Sequence, residues 1–514
     1  MASKVKDTLR ELLSRIEREH RGSSIGVGPG RPGTDTLFLG LLTLLPLAGV
    51  LACAYFAAHY AFWRPDTWAY LGSPHNEFEY NQRWLLPAFF YALRRIPQFA
   101  AWLVAVFLFG WLGYRVTRTY LAGSPFESRA LSIGLASLCV IMPGFHSQLG
   151  WASHAMSATL LLAVMEALSR RLPRIPLVLV GTPIVYGLHQ SFAPMTLLFL
   201  IPSYDRLCQQ SLADNMRDTI KNLVVWAIAF ALGWGLAETI LRIAFGQIPV
   251  LSPYRHPHFA ASLGGLLDNL VRNFALLGED LGTLYYVTGI ILMLLLVLTM
   301  LIWRARKSTQ GGRPWIPMLA YSGALFLSIY VFTAPDGVDI PIRATLVFGP
   351  ATLLLGLALL GLIQRPVPTL LAVYAFCFYP CMISIVNNQW SAEYSSDVRS
   401  AIVEISPADP GRFKGVIVLE GAAFDKDDGY GWPKDYAGSF EVFPQVFWPG
   451  RVLHPAFHEA GYRKTVECGT GAKGETGVCA QLDTLTPRFT HCATINPEIC
   501  SAGATPDGYW LVRL

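Results

Sequence analysis

The sequence predicts a polytopic α-helical membrane protein of about eleven transmembrane helices, closed by a small α/β domain at its C-terminal end. Three observations predict it. The chain is 53% hydrophobic and only 15% charged, where a soluble domain carries about 25% charged residues. Its apolar residues fall in runs of membrane-crossing length, separated by short basic clusters. From about residue 388 the composition turns abruptly polar, and four of the nine cysteines lie beyond that point.

The first 35 residues are long and polar, with no small-residue cleavage site after the first apolar run, so they do not read as a secretory signal. Val5, Leu9, Leu12, Leu13 and Ile16 recur at helical spacing among Lys4, Lys6, Arg10, Arg15 and Arg18. That pattern predicts an amphipathic helix on the cytoplasmic surface. Residues 1–35 are thus an arm, and "GVGPGRPG" separates it from the first span.

Spans follow near 37–61, 97–120, 130–146, 153–169, 175–190, 191–204, 222–245, 283–303, 315–334, 345–363 and 367–387. The pair 175–190 and 191–204 is short and contains Pro183, Pro194 and Pro202; a re-entrant pair there would leave the downstream topology unchanged. With the N-terminus inside, fourteen arginines and lysines between spans face the cytoplasm and eight face outward, with seven more in the arm. The positive-inside rule favours that orientation, and an odd span count then places the tail outside. Residues 261–277 present Leu263, Leu266, Leu267, Leu270, Val271, Phe274 and Leu277 on one face, with Asp268, Asn269 and Arg272 opposite, as an outer interfacial helix would. Residues 85–99 read as a second interfacial helix.

Residues 388–514 carry eleven basic and sixteen acidic residues. "NQWSAEYSSDVRSAIVEI" has helical periodicity, "KGVIVLEG" reads as a buried strand and "YWLVRL" as a closing one. Cys468, Cys479, Cys492 and Cys500 make an even set in a segment placed outside, without a CxxC pair; two disulfides are expected, their connectivity open. Cys53, Cys139, Cys208, Cys377 and Cys381 lie in or beside apolar runs, as small core residues do.

The first outer loop, "FWRPDTWAYLGSPHNEFEYNQRWLLP", holds Asp66, Glu77 and Glu79 with Arg64, Arg83, Trp68 and Tyr70. A carboxylate at the membrane surface suits a general base or a metal site, and arginine suits a phosphate. Acids and tryptophans are equally ordinary at the end of a spanning helix. Polar groups recur on the same side: His146, Gln148, Trp151 and His154 in the second loop, His189 and Gln190 in the third, Asp336, Asp339 and Arg343 in a later one. Glu166 and Glu238 lie inside apolar runs, Glu166 near the cytoplasmic end. There is no P-loop, no GxGxxG after a strand, no HExxH and no GxSxG. The spacing of basic residues fits membrane topology and not a nucleic-acid patch.

The order of "PDTWAYLG…NQRWL", "MPGFHSQLGWASHAMSATLLLAVMEAL", "VYGLHQSFAPMTLLFLI" and "VNNQWSAEYSSDVRSAIVEI" resembles the Gtr type II family of serotype-converting O-antigen glucosyltransferases, polytopic enzymes of the GT-C class. The likeness covers about residues 36–405 as scattered short motifs. It implies a GT-C-like catalytic domain over 36–387 in a bacterial inner membrane, with residues 388–514 periplasmic. It implies inverting transfer of a sugar, glucose in that family, from a polyprenyl-phosphate donor to an acceptor glycan such as lipopolysaccharide O-antigen. A polyprenyl-phosphate glucosyl synthase and a small flippase are the implied functional partners. The essential first-loop carboxylate maps to Asp66, the family's "GR" to Gln82 and Arg83, and its "YQ" to His189 and Gln190. Family members often carry two adjacent acids where this chain has Pro65 and Asp66, so Glu77 and Glu79 stay candidates for a second carboxylate.

On this expectation Arg83 and Arg343 bind the donor phosphate, with His154 and Gln190 as further contacts, and Trp68, Tyr70 and Trp151 line the sugar. A divalent metal is left open. Alternative readings are a GT-C transferase for another sugar or a protein or lipid acceptor, and a lipid-linked-sugar transporter. Transport predicts repeated halves with paired broken helices, and neither is visible.

Overall fold

A computed structural model describes residues 32–59, 83–86, 88, 95–149, 152–245, 258–306, 313–337, 342–419, 457–458, 460–468, 488–494 and 499–513. Asp66, Trp68, Tyr70, Glu77, Glu79, Trp151 and Cys479 lie outside the described residues, as do residues 1–31 of the N-terminal arm and residues 87 and 89–94 of the stretch 85–99.

The N-terminal part is a helical bundle. Its helices are α1 (Pro32–His59), α2 (Gln98–Leu121), α3 (Arg129–Ile141), α4 (Pro143–Gln148), α5 (Ala152–Leu168) and α6 (Arg174–Leu188). After a 3-10 helix over Gln190–Leu200 come α7 (Tyr204–Gln209), α8 (Leu212–Phe245), α9 (Leu263–Arg306) and α10 (Trp315–Phe332). A second 3-10 helix, Ile342–Val347, leads into α11 (Phe348–Ile363) and α12 (Pro366–Ile405). Among the described residues six helical stretches are long and apolar enough to cross a membrane: Leu37–Ala58, Gln98–Leu121, Leu212–Ala244, Trp315–Phe332, Ala344–Ile363 and Pro366–Val386. Four shorter apolar helices, Arg129–Ile141, Ala152–Leu168, Arg174–Leu188 and Gln190–Leu200, lie where spans were expected at 130–146, 153–169, 175–190 and 191–204.

Packing follows from hydrophobicity all round these helices. α11 is buried on nearly every side and forms the centre of the bundle. α1 and α8 turn Leu41, Leu44, Leu51, Val224, Ile228 and Leu232 outward, and a helix with apolar residues on its exposed face is matched to lipid, not water. This is a helical, membrane-embedded architecture.

Three elements differ in extent from the sequence reading. The expected span at 130–146 stops at Ile141, because Pro143 cannot continue its hydrogen bonding, and a separate turn, α4, follows. The amphipathic stretch at 261–277 and the span at 283–303 are one element, α9, kinked at Tyr286, whose φ of 57° is rare for a side chain of this size. Its polar face meets protein: Asn269 donates to the carbonyls of His258 and Ala334, Arg272 to that of Gly337 and Asn273 to that of Tyr330. Leu263, Leu267 and Val271 stay exposed. Finally, α12 runs 40 residues through position 387 without interruption, about 60 Å at 1.5 Å per residue.

The far end of α12 docks onto a five-stranded mixed sheet of order β2-β1-β5-β4-β3. The strands are β1 (Gly415–Leu419), β2 (Thr465–Cys468), β3 (His491–Cys492), β4 (Cys500–Ala504) and β5 (Tyr509–Arg513). β1 is parallel to β2 and β5, while β4 is antiparallel to β3 and β5. Period-two alternation sends Val416, Val418 and Val512 to the face covered by Ala401, Ile402 and Ile405 of α12, and Ile417, Val466 and Leu511 to the other. Cys492 and Cys500 stand opposite each other on β3 and β4 and form a disulfide; Cys468 is disulfide-bonded as well. The five remaining described cysteines are free thiols.

Candidate functional site

Helix α6 and the 3-10 helix after it are the two legs of a hairpin whose tip is His189. The legs are only 15 and 11 residues long, carry Pro183 and Pro194, and are buried along the 3-10 leg from Phe192 to Leu200. Irregular backbone at membrane depth is tolerated where protein surrounds it. Thr182 and Thr196 hydroxyls meet across the legs at 2.7 Å, and Arg174 donates to the Ile201 carbonyl at 2.9 Å where the legs open. His189 itself has extended backbone, the break that turns one leg into the other.

Two donors converge on the His189 ring. Arg83 Nη2 lies 3.0 Å from Nε2 and Gln148 Nε2 lies 2.7 Å from the same atom. A guanidinium has only donors, so Nε2 must present its lone pair and the ring proton resides on Nδ1. That fixes the Gln148 amide too, with its NH2 toward the ring. His154, in the first turn of α5, is buried close enough to Arg83 to feel its charge. Gln190 is half-buried beside the hairpin tip.

Two glycines make this convergence sterically feasible. Leu85 donates its backbone N–H to the Gly187 carbonyl at 2.9 Å, and the Trp84 indole packs against Gly187. A Cβ at 187 would fall 2.5 Å from Trp84 Cε2. This contact ties the segment that carries Arg83 to the hairpin. Gly144 of α4 lies against the backbone of the second 3-10 helix, where a Cβ would be 2.6 Å from Leu346 N. Arg343 belongs to that 3-10 helix; its backbone is described and its side chain is not.

Helix α4 contributes twice. Gln148 reaches His189, while His146 Nδ1 lies 3.2 Å from the Asn388 side-chain amide of α12. His146 Nε2 is a buried atom with no hydrogen-bond partner among the described residues. A buried polar atom left without a partner is costly, and it marks a place where a ligand atom would be held. Asn388 was not singled out by sequence; it looks like any polar residue at a helix end.

Other expected groups lie elsewhere. Glu166 is buried at the opposite end of α5, bonded to Arg115 at 3.0 Å and to Arg170 at 2.8 Å. Glu238 is half-buried one turn from Arg242 on α8. The Asp336 backbone carbonyl receives the His258 N–H at 3.1 Å in the turn stitched to α9. An acid the sequence reading passed over is Asp280, three residues ahead of the expected span in α9, which accepts from the Tyr330 hydroxyl. Burial pushes its carboxyl up to about 6, against the Tyr330 hydrogen bond, which acts the other way. Among the described residues no three His, Cys, Asp or Glu side chains gather as metal ligands would.

The groups are a buried guanidinium, three imidazoles and two amides, from Arg83, helices α4 and α5, the hairpin tip and the middle of α12. Such donor-rich surroundings suit an anion at a membrane surface. No family model, curated protein or solved structure matches the chain.

Proposed function

We propose that the chain is an inverting glycosyltransferase of GT-C type, akin to the Gtr type II glucosyltransferases, with eleven spans in a bacterial inner membrane. It moves a sugar, glucose by that resemblance, from a polyprenyl-phosphate donor to a periplasmic acceptor glycan such as O-antigen. The observation that carries the reading is the meeting of Arg83, Gln148, His154 and His189. These groups come from three segments, each singled out by the resemblance; Arg83 and Gln148 both contact the His189 ring, and His154 is buried near enough to feel the Arg83 charge.

In the reaction Asp66 takes the proton of the acceptor hydroxyl as its oxygen attacks the anomeric carbon. The bond from that carbon to the phosphate oxygen breaks, and the lipid phosphate leaves with the electron pair. Arg83 and Arg343 stabilise the departing charge, so no acid is needed at the leaving group. His189 acts as a positioning residue, holding the guanidinium fork in one orientation. Glu77 or Glu79 supplies a second carboxylate where the family often has adjacent acids, and Trp68, Tyr70 and Trp151 line the sugar.

The test is transfer by purified full-length protein in detergent from a polyprenyl-phosphate sugar, comparing wild type with Asp66→Asn. The reading expects the variant to lose transfer by a factor of about 100 or more. Equal rates would remove Asp66 from the mechanism.

A further inference from the structure

We infer that an arginine-lined cavity at the end of the bundle remote from His189 binds a phosphate group, supplied by the headgroup of an anionic phospholipid. Its place follows from helix geometry. Twelve residues of α5 separate His154 from Glu166, roughly 18 Å, and fifteen residues along α6 separate His189 from Arg174, roughly 22 Å. The two sites therefore lie at opposite ends of the same helices, and this one is independent of the proposed transfer reaction.

The cavity has a volume of about 30 Å³ and is walled by Arg115, Thr119 and Tyr120 of α2, Glu166 and Ser169 at the end of α5, and Arg174. That exceeds the roughly 10–15 Å³ one water needs. It admits the oxygens of one phosphate and excludes a nucleotide. Leu198, Phe199 and Ile201 supply an apolar floor.

Charge and hydrogen bonding set its preference. Glu166 is the only carboxylate in the wall, and it is already engaged by Arg115 and Arg170. Arg174 donates once, to the Ile201 carbonyl, with no carboxylate within ion-pair distance among the described residues. The Arg206 charge acts on it as well. Two arginines in the wall, Arg115 and Arg174, against the one carboxylate of Glu166, which Arg170 also engages, leave the pocket cationic. The Tyr120 hydroxyl supports the same preference: the residue is 2% exposed, lines the cavity, and its oxygen has no hydrogen-bond partner among the described residues. A phosphate in the cavity would lie among Arg115, Arg174 and Tyr120. Leu168 and Leu172 beside the opening are exposed, as the residues flanking a lipid headgroup would be. Basic pockets between helices at the cytoplasmic interface are suited to such headgroups.

The test uses the full chain in detergent, titrated with phosphatidylglycerol, phosphatidylcholine or inorganic phosphate, and reads lipid retained in native mass spectrometry together with the melting temperature. Phosphatidylglycerol is expected to bind and raise the melting temperature where phosphatidylcholine does not. Arg174→Gln and Tyr120→Phe should each weaken that binding about fivefold. Tyr120→Phe removes one oxygen and leaves the packing intact, so it stands even if Arg174→Gln fails to fold. Arg217→Gln, which removes an exposed charge from α8 outside the cavity wall, should change nothing. An equal response to phosphatidylcholine, an equal loss in Arg217→Gln, or full occupancy by inorganic phosphate overturns the proposal.

Discussion

Gly187→Ala puts a methyl group where the Trp84 indole lies. The new Cβ would be 2.5 Å from Cε2, 2.6 Å from Nε1 and 2.8 Å from Cζ2, against the 3.4 Å at which ordinary contact begins. The ring must retreat by about 0.9 Å. Trp84 directly follows Arg83, and Leu85 is fastened to the Gly187 carbonyl, so the retreat is passed to the guanidinium and its bond to His189. Overpacking of this kind costs about 1–3 kcal/mol. A displacement near 1 Å in a catalytic neighbourhood costs about 100-fold in rate. Melting in detergent reads the first quantity and sugar transfer the second. Trp84→Phe, which removes the fused ring, should restore much of both when combined with Gly187→Ala. A Gly187→Ala protein as stable and as fast as wild type refutes the idea that this contact seats Arg83.

Replacing His189 by phenylalanine leaves the Arg83 and Gln148 donors without their shared acceptor. Unfolding titrations should show a loss of about 1–3 kcal/mol, with His189→Gln, which restores an acceptor oxygen, milder. Asp280 has its carboxyl pushed up from 3.8 to about 6, so between those values the folded state binds more protons than the unfolded state. Stability therefore falls as pH rises through that window, by about 3 kcal/mol at most, and Asp280→Asn should flatten the profile. Opening the Cys492–Cys500 bridge, which closes a separation of eight residues, should destabilise the sheet domain by about 2–3 kcal/mol. The double Cys→Ser variant, followed by hydrogen exchange in β4 and β5, measures that loss.

Helical segments were legible where apolar runs are long, and less so where two runs share a helix. Nothing in the composition of α9 or α12 announces that an amphipathic stretch adjoins a span in one element: α12 carries its helix across the change of polarity, and α9 does so through the kink at Tyr286. α9 shows why its polar face deceives: Asn269, Arg272 and Asn273 bind carbonyls at the end of α10 and in the turn after it, contacts made by residues about 60 positions away. β1 and β5 were readable as β-branched and aromatic runs. β5, last in the chain, proves central in the sheet, and β3, two residues long, has no periodicity to read.

At the site, Arg83, His154, His189 and Gln148 were visible as polar interruptions of apolar sequence. Their meeting depends on Gly144 and Gly187, whose importance is steric and appears only when the neighbouring backbone and indole are in place. Asn388 and Asp280 gave no signal beyond being polar near the ends of apolar runs.

The most direct test of the central claim follows a polyprenyl-phosphate sugar, labelled in the sugar, in proteoliposomes holding the wild-type chain and an acceptor glycan. Transfer chemistry predicts that the label becomes covalently attached to the acceptor with its anomeric configuration inverted. Label that crosses the bilayer still attached to its lipid, with none on the acceptor, would contradict the account and identify a transporter.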